Sequence, residues 1–338
     1  MLRKFIRIVS VFLGVVLTSC GNVEVKEHSL AGYTLGTTYH IKYLSPGDED
    51  LQPQLDSIYD VIINSMSTYV PTSDISKINK GDSAVVVDHM FVDVYKASEK
   101  IWKESGGMFD PTIGIMVNAW GFGPKGQLNN LTDEKVNELM KTVGFDKTRI
   151  LSNGVFQKDY PETQIDFNAI AKGYTLDRVA VFFDQRNIDS YLIEIGGEIV
   201  AKGKKLNGDV WRIGIDDPNQ EVDGKRSLTA IIDITDKAMA TSGNYRNFRL
   251  DSLTGEKYVH TINAKTGFTS RSNMLSASVI AKNCTLADGY ATTFMAMGLE
   301  ETKAFLTRHP EIDAYLIYVD EDGNWKKYMT EVFKESIE

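Results

Sequence analysis

The sequence predicts an α+β fold, a mixed sheet with packed helices, on two observations. Apolar residues recur at helical spacing through the first half, while strand-length apolar or alternating runs dominate from about residue 211 onward. Helices and strands do not settle into a βαβ rhythm, so a doubly wound parallel sheet is not expected.

Thr37–Leu44 alternates polar and apolar residues and reads as a strand. Leu51, Leu55, Ile58, Ile62 and Met66 then recur at helical spacing. Phe91, Val94, Tyr95, Ser98 and Trp102 mark a second helix, ended by Gly106-Gly107. A third starts at Thr132, a good N-cap residue, and stops at Gly144. Beyond Ile170 a helix runs to about Asp184, and Tyr191–Ile195 follows as a strand. Strands are expected over Trp211–Ile215, Leu228–Ile234 and Leu275–Ala281. Helices follow over Thr285–Met297, closed by Gly298, and Leu299–Thr307, with Pro310 just beyond. The chain ends in a hairpin of Ala314–Val319 and Trp325–Met329 around Asp322-Gly323.

The amino terminus has a separate character. Met1, Leu2, Arg3, Lys4 and Arg7 form a basic start, and Ile8–Leu17 is an apolar run too short to span a bilayer. Leu17-Thr18-Ser19-Cys20 follows directly and resembles the lipobox of bacterial lipoproteins. That resemblance implies a signal peptide over 1–19, lipid on Cys20 and a tether over 20–31. Residues 32–338 are then one large domain on the extracytoplasmic side of a bacterial membrane. With Cys20 lipidated, Cys284 has no cysteine left to pair with, so stability rests on the core. The net charge of −9 argues against nucleic acid as a partner.

Polar and glycine-rich residues gather in dense patches far apart in sequence. They are Met66–Pro71 with Asn79; Gly106–Gly114 running to Trp120-Gly121-Phe122-Gly123; Asp166–Tyr174; Ile195–Glu198; Ala240–Asn247; His260–Asn263 with Thr266-Gly267; and Ala287–Thr292. Each alone reads as a turn. Together they suggest the walls of one ligand cleft, with backbone close enough to offer N–H groups to an anion.

Asp288 and Thr292 stand four apart on an expected helix, so both side chains leave one face a turn apart. Two hard oxygen donors at that spacing can share a cation such as Mg²⁺. Thr292 serves equally as a packing or capping residue, and Asp288 as a carboxylate favouring the helix start. Lys172 near a helix N-terminus suits a bound phosphate, or is a solvated lysine. His260 is the one histidine of five inside a dense polar patch, an acid/base candidate or a structural residue. No G-x-S-x-G elbow, H-E-x-x-H pair, P-loop or dinucleotide fingerprint is present.

Read in order, the patches resemble the ApbE family of FAD:protein FMN transferases, from about Leu35 to Gly298. The most specific pieces are Met66-Ser67-Thr68-Tyr69 through Asn79, Phe109-Asp110-Pro111-Thr112 through Gly123, Ala169-Ile170-Ala171-Lys172-Gly173, Gly196-Gly197-Glu198, and Ala240-Thr241-Ser242-Gly243-Asn244-Tyr245-Arg246. The resemblance implies a flavin-nucleotide cleft, FAD as substrate, Mg²⁺ as cofactor, and transfer of FMN to a threonine of an acceptor protein with release of AMP. It assigns the metal to Asp288, Thr292 and the carbonyl of Ala169. It assigns FAD contacts to Leu35, Ser67, Thr68, Tyr69, Asp110, Lys172, His260 and Ile262, and catalytic parts to His260 and Asp288. The implied acceptor is a subunit of a membrane redox complex that presents a threonine in an exposed loop.

Three positions depart from the family pattern. Asn263-Ala264 replace an Asp-Pro pair, Asn168 stands in a step that is usually glycine-rich, and Leu35 occupies a common methionine position. A metal-dependent FAD pyrophosphatase, with water as acceptor, and a non-catalytic FAD-binding lipoprotein remain alternatives.

Overall fold

In a computed structural model, the described residues are 24–128, 131–217, 227–243, 248–250, 257–259, 261–270 and 272–337. The expectations for 1–19, Cys20, His260 and Asn244-Tyr245-Arg246 lie outside them.

The described chain opens as a hairpin, β1 (Lys26–Thr34) and β2 (Thr37–Ser45). The tether expected over 20–31 is therefore cut short, because Lys26–Ala31 pair with Ser45–His40. An edge strand buries little: Leu30 touches the core and Thr34 is buried, too faint an alternation to read. Next come α1 (Gln52–Met66), with Pro53 in its first turn, α2 (Asp74–Asn79) and α3 (His89–Glu104). Ser73 and Asp88 cap the last two by accepting from the amides of Ser76 and Phe91. Then follow α4 (Gly114–Ala119), α5 (Asp133–Met140), the small hairpin β3 (Thr148–Ile150)/β4 (Phe156–Lys158) and α6 (Ala171–Gln185). Thr132 does cap α5, which ends before Gly144.

The remainder runs β5 (Tyr191–Ile195), β6 (Glu198–Lys202), β7 (Trp211–Asp216), β8 (Leu228–Ile234), β9 (Lys237–Gly243), β10 (Phe248–Leu250), β11 (Lys257–Val259) and β12 (Met274–Ala281). It closes with α7 (Cys284–Met297), α8 (Leu299–Arg308), β13 (Asp313–Val319), β14 (Trp325–Met329) and α9 (Glu331–Glu335).

One eight-stranded sheet, ordered β1-β2-β5-β6-β9-β12-β13-β14, organises these elements. The α+β expectation holds. The sheet expected to be mixed is antiparallel at every pairing, since hairpins and direction-reversing connections join its strands. Helices cover one face: Tyr39, Ile41 and Ile193 pack with Leu55 and Tyr59 of α1 and Leu176 and Phe183 of α6. Further along, Ala277, Val279 and Leu316 pack with Phe91 of α3 and Phe294 of α7. The β7–β8 hairpin and Phe333 of α9 cover the other face over Ile199, Met239, Ile280 and Ile317. Both faces of β12 are thus buried, which is why its sequence is apolar without alternation. Ala240–Gly243, expected as a turn, instead end the central strand β9. Small side chains there let α7 lie close to the sheet.

Candidate functional site

Two glycine turns sit side by side at one end of the sheet. Leu35-Gly36 joins β1 to β2, Gly196-Gly197 joins β5 to β6, and β2 pairs with β5 through Tyr39 and Ile195. Gly196 donates to the Thr38 carbonyl at 3.0 Å, and a β-carbon on it would lie 2.8 Å from Thr37 Cγ2. Gly196 and Gly197 have φ of +64° and +106°, which glycine adopts without strain. Leu35, at φ +50°, does not have that freedom. A branched side chain held in the left-handed region costs about 1–2 kcal/mol.

The second part of the site is the junction of α6 and α7. Gly173 in the first turn of α6 donates its N–H to Asp288 Oδ2 at 2.9 Å, and not to the Ala169 carbonyl four residues back. That carbonyl therefore accepts no hydrogen bond among the described residues. A β-carbon on Gly173 would fall 2.2 Å from the Cys284 carbonyl oxygen, so only glycine lets the two helices meet. Asp177, one turn further along α6, caps α7. It accepts from the amides of Cys284 and Thr285 at 2.9 and 2.8 Å and from the Thr285 hydroxyl. These bonds set α7 in register with α6. Asp288 is left only 3% exposed, with Thr292 a turn beyond it and bonded at 3.1 Å to the Ser242 hydroxyl of β9.

Lys172 and Glu198 join the two parts. Lys172 Nζ donates to Glu198 Oε1 at 2.7 Å, and Glu198 is 2% exposed, while its Oε2 has no partner. Burial and the nearby Glu198 charge push the Asp288 carboxyl up to about 8, against the pull of Lys172 and of the Gly173 amide. Burial alone would lower Lys172, but the charges of Glu198 and Asp288 hold it above its ordinary value. With one ammonium beside two buried carboxyl groups the Asp288 proton is held to higher pH, and a bound cation would compensate the ionised form in its place.

Other expected residues fall into three groups. Ser67, Thr68 and Tyr69 follow the end of α1, with Tyr69 59% exposed and its hydroxyl 3.4 Å from the Phe122 carbonyl. The Thr68 hydroxyl is buried without a partner, as suits a group kept for a ligand. Asp110, expected among the FAD contacts, is buried and turned to the protein. It accepts from Thr112 N and Oγ1 at 2.8 and 2.6 Å and from Phe145 N at 2.9 Å. Asn79 likewise clamps the backbone of Ile165 from both sides.

Ile262, also expected to touch FAD, is buried in an apolar cluster with Met116, Ala119 and Val136. The Asn263 side chain takes over the turn that Asp-Pro would form, accepting from Lys265 N and Thr266 N at 3.0 and 3.2 Å. That turn needs an acceptor oxygen, and a neutral one suffices.

Sequence reasoning quoted Glu198, Ser242 and Gly173 without giving them parts, and passed over Asp177. One signal was available. A glycine in the first turn of a helix costs stability, so Gly173 marked a close approach.

The donor set at the junction fits a hard cation. Asp288 supplies one carboxylate whose Oδ1 has no bond among the described residues, Thr292 a hydroxyl, and Ala169 a carbonyl that likewise accepts none among them. Among the described residues no three His, Cys, Asp or Glu side chains cluster as metal ligands. A surface groove of about 420 Å³ lined by Leu306, Tyr328 and Lys334 lies at the β14 edge and includes none of these residues.

Fold and site together define an α+β protein in which two glycine turns, a buried Lys172–Glu198 pair and the buried Asp288 gather at one end of an antiparallel sheet. The chain belongs to the ApbE family, whose model matches residues 35–316. It is 36% identical to the FAD:protein FMN transferase of Vibrio cholerae over 326 residues, which covers 94% of this chain and 95% of that one. It is 33% identical to the Haemophilus influenzae protein of the same name, covering 94% and 93%. The solved structure of flavin transferase ApbE from Vibrio cholerae superposes with a TM-score of 0.81 at 35% identity, over 93% of this chain and 100% of that one. The apo crystal structure of the Pseudomonas stutzeri flavinyl transferase ApbE also gives 0.81, at 29% identity and 92% and 97% coverage.

Proposed function

We propose that this protein is a Mg²⁺-dependent FAD:protein FMN transferase, which moves FMN from FAD onto a threonine hydroxyl of an acceptor protein and releases AMP. The observation that carries this reading is the α6–α7 junction. There the Gly173 amide holds Asp288 while the adjacent Lys172 pairs with Glu198 beside two glycine turns, in a family whose relatives bear that name.

Asp288, Thr292 and the Ala169 carbonyl would hold Mg²⁺, which when bound neutralises pyrophosphate oxygens and the charge that develops on the leaving phosphate. Lys172, one-third exposed at the start of α6, neutralises a further phosphate oxygen and is helped by the helix N-terminus. The Thr68 hydroxyl, buried without a partner among the described residues, orients the nucleotide. His260, or a neighbouring carboxylate, accepts the threonine proton as the threonine oxygen bonds to the FMN-side phosphorus. The bond from that phosphorus to the bridging oxygen breaks, and AMP departs with the electron pair.

By the same reading Cys20 carries lipid and the domain stands on the extracytoplasmic side of a bacterial membrane. Its acceptor there is a membrane redox subunit with a threonine in an exposed loop. No helix among the described residues is long and apolar enough to cross a membrane. Lys26 begins the first strand, so residues 21–25 are what is left for the tether.

The test is incubation of the chain with FAD, MgCl₂ and a threonine-bearing acceptor peptide, read by mass spectrometry. An FMN-sized gain on the peptide with equimolar AMP supports the transferase. Free FMN and AMP with unmodified peptide favours the pyrophosphatase, and intact FAD refutes both.

A further inference from the structure

Glu198 is the most deeply buried charge of the site, yet the chemistry above gives it no part. It opens β6 directly after the Gly196-Gly197 turn, so its backbone is fixed by pairing with Ile195 of β5, and the next residue, Ile199, pairs with Met239 of β9. Its one bonded partner is the Lys172 ammonium at 2.7 Å, and its second oxygen has none.

Lys172 has a second carboxylate within reach. It precedes Gly173 in the chain, and the Gly173 amide is bonded to Asp288 Oδ2 at 2.9 Å. The ammonium nonetheless rests on Glu198, and the hydrogen-bond partner of Asp288 among the described residues is the Gly173 amide.

We propose that Glu198 is a positioning residue that divides the charges of the site, holding the Lys172 ammonium toward the nucleotide and keeping it off Asp288, which stays free for a divalent cation. A lysine on a flexible stem turns to the nearest uncompensated carboxylate. In a water-poor junction that attraction is strong. Without the Glu198 charge the nearest such group is Asp288, and a Lys172–Asp288 pair occupies the oxygen the cation needs. Glu198 thus serves both ligands without touching either. This inference rests on the reading of Asp288 as a cation ligand.

The test is calorimetric titration of the full-length chain with MgCl₂ alone, without FAD or acceptor. Thermal denaturation is followed in parallel. E198Q is expected to bind Mg²⁺ about tenfold more weakly than wild type. In K172M/E198Q, which buries neither charge, Mg²⁺ affinity returns to within about threefold of wild type while FAD binding stays weak. Loss of a merely structural residue does not reverse on removal of Lys172. E198D keeps the charge but withdraws it by one methylene, and is read the same way if E198Q does not fold. Equal Mg²⁺ affinity in E198Q and wild type overturns the inference alone, as does a double variant no better than the single. A wild type that takes up no Mg²⁺ overturns the cation reading and this inference with it.

Discussion

The backbone amide of Gly173 donates to Asp288 Oδ2 at 2.9 Å, and the absent side chain of Gly173 is what lets α6 approach α7 closely enough to do so. The bond has two effects. It holds one oxygen of a buried carboxylate in place, and it satisfies a first-turn amide of α6 that has no acceptor within the helix. A capped helix start and a fixed carboxylate thus arise from one contact.

Gly173→Ala tests that contact. Its β-carbon would lie 2.2 Å from the Cys284 carbonyl, a backbone atom that moves only if the helices part. The expected cost is about 1–3 kcal/mol in urea unfolding. The folded fraction should bind Mg²⁺ at least about tenfold more weakly by calorimetry, because Asp288 loses its amide partner.

Thr68→Val removes a buried hydroxyl that has no partner among the described residues. Stability without ligand should hold or rise slightly, since an unsatisfied polar group is replaced by one of the same shape. FAD affinity, followed by quenching of flavin fluorescence, should fall about three- to tenfold. A variant that binds FAD as wild type does would show that the hydroxyl is not kept for the ligand.

Leu35→Asn addresses the strained turn. Asparagine tolerates the left-handed conformation that Leu35 holds at φ +50°, and Asn-Gly is the favoured pair for such a hairpin. The variant should be more stable by about 0.5–1 kcal/mol and should bind FAD less tightly. Denaturation and FAD titration on one preparation check both. Stabilisation without loss of affinity would mean that the strain serves no ligand.

Asp110→Asn distinguishes a structural carboxylate from an FAD contact. The amide nitrogen would face the Phe145 N–H that Oδ2 now accepts, at an expected cost of about 1–3 kcal/mol. FAD affinity of the folded variant should not change. Burial raises the Asp110 pKa against the pull of the Thr112 and Phe145 donors. The folded state therefore holds this proton to higher pH than the unfolded chain does. The stabilising contribution is full below the ordinary aspartate value and is lost as pH climbs through the raised one. Melts across the carboxylate range should show that decline in wild type and a flatter profile in the variant.

Periodic elements were legible wherever one face meets the core and the other meets water. Leu55, Tyr59, Ile62 and Met66 of α1 and Phe91, Val94 and Tyr95 of α3 declare their helices in this way. The edge strand β1 was not legible because it buries too little, and β9 was not because its Ala-Thr-Ser-Gly end looks like a turn. The site divided along similar lines. Asp288, Thr292 and Lys172 could be singled out by spacing and residue type. Asp110 and Ile262 could not be sorted from them, because their motifs do not say whether a side chain faces the cleft or the core. Here Asp110 is bonded to Thr112 and Phe145, and Ile262 packs with Met116 and Val136.

The sequence by itself determined the α+β class and the order of most helices and hairpins, because these depend on local periodicity. Only the tertiary structure decided which carboxylate the Lys172 ammonium faces. Lys172 is paired with Glu198 rather than with Asp288, a choice made between residues 26 positions apart by the pairing of β6 and the meeting of α6 with α7. Coulomb attraction depends on distance through space, and distance through space is set by packing.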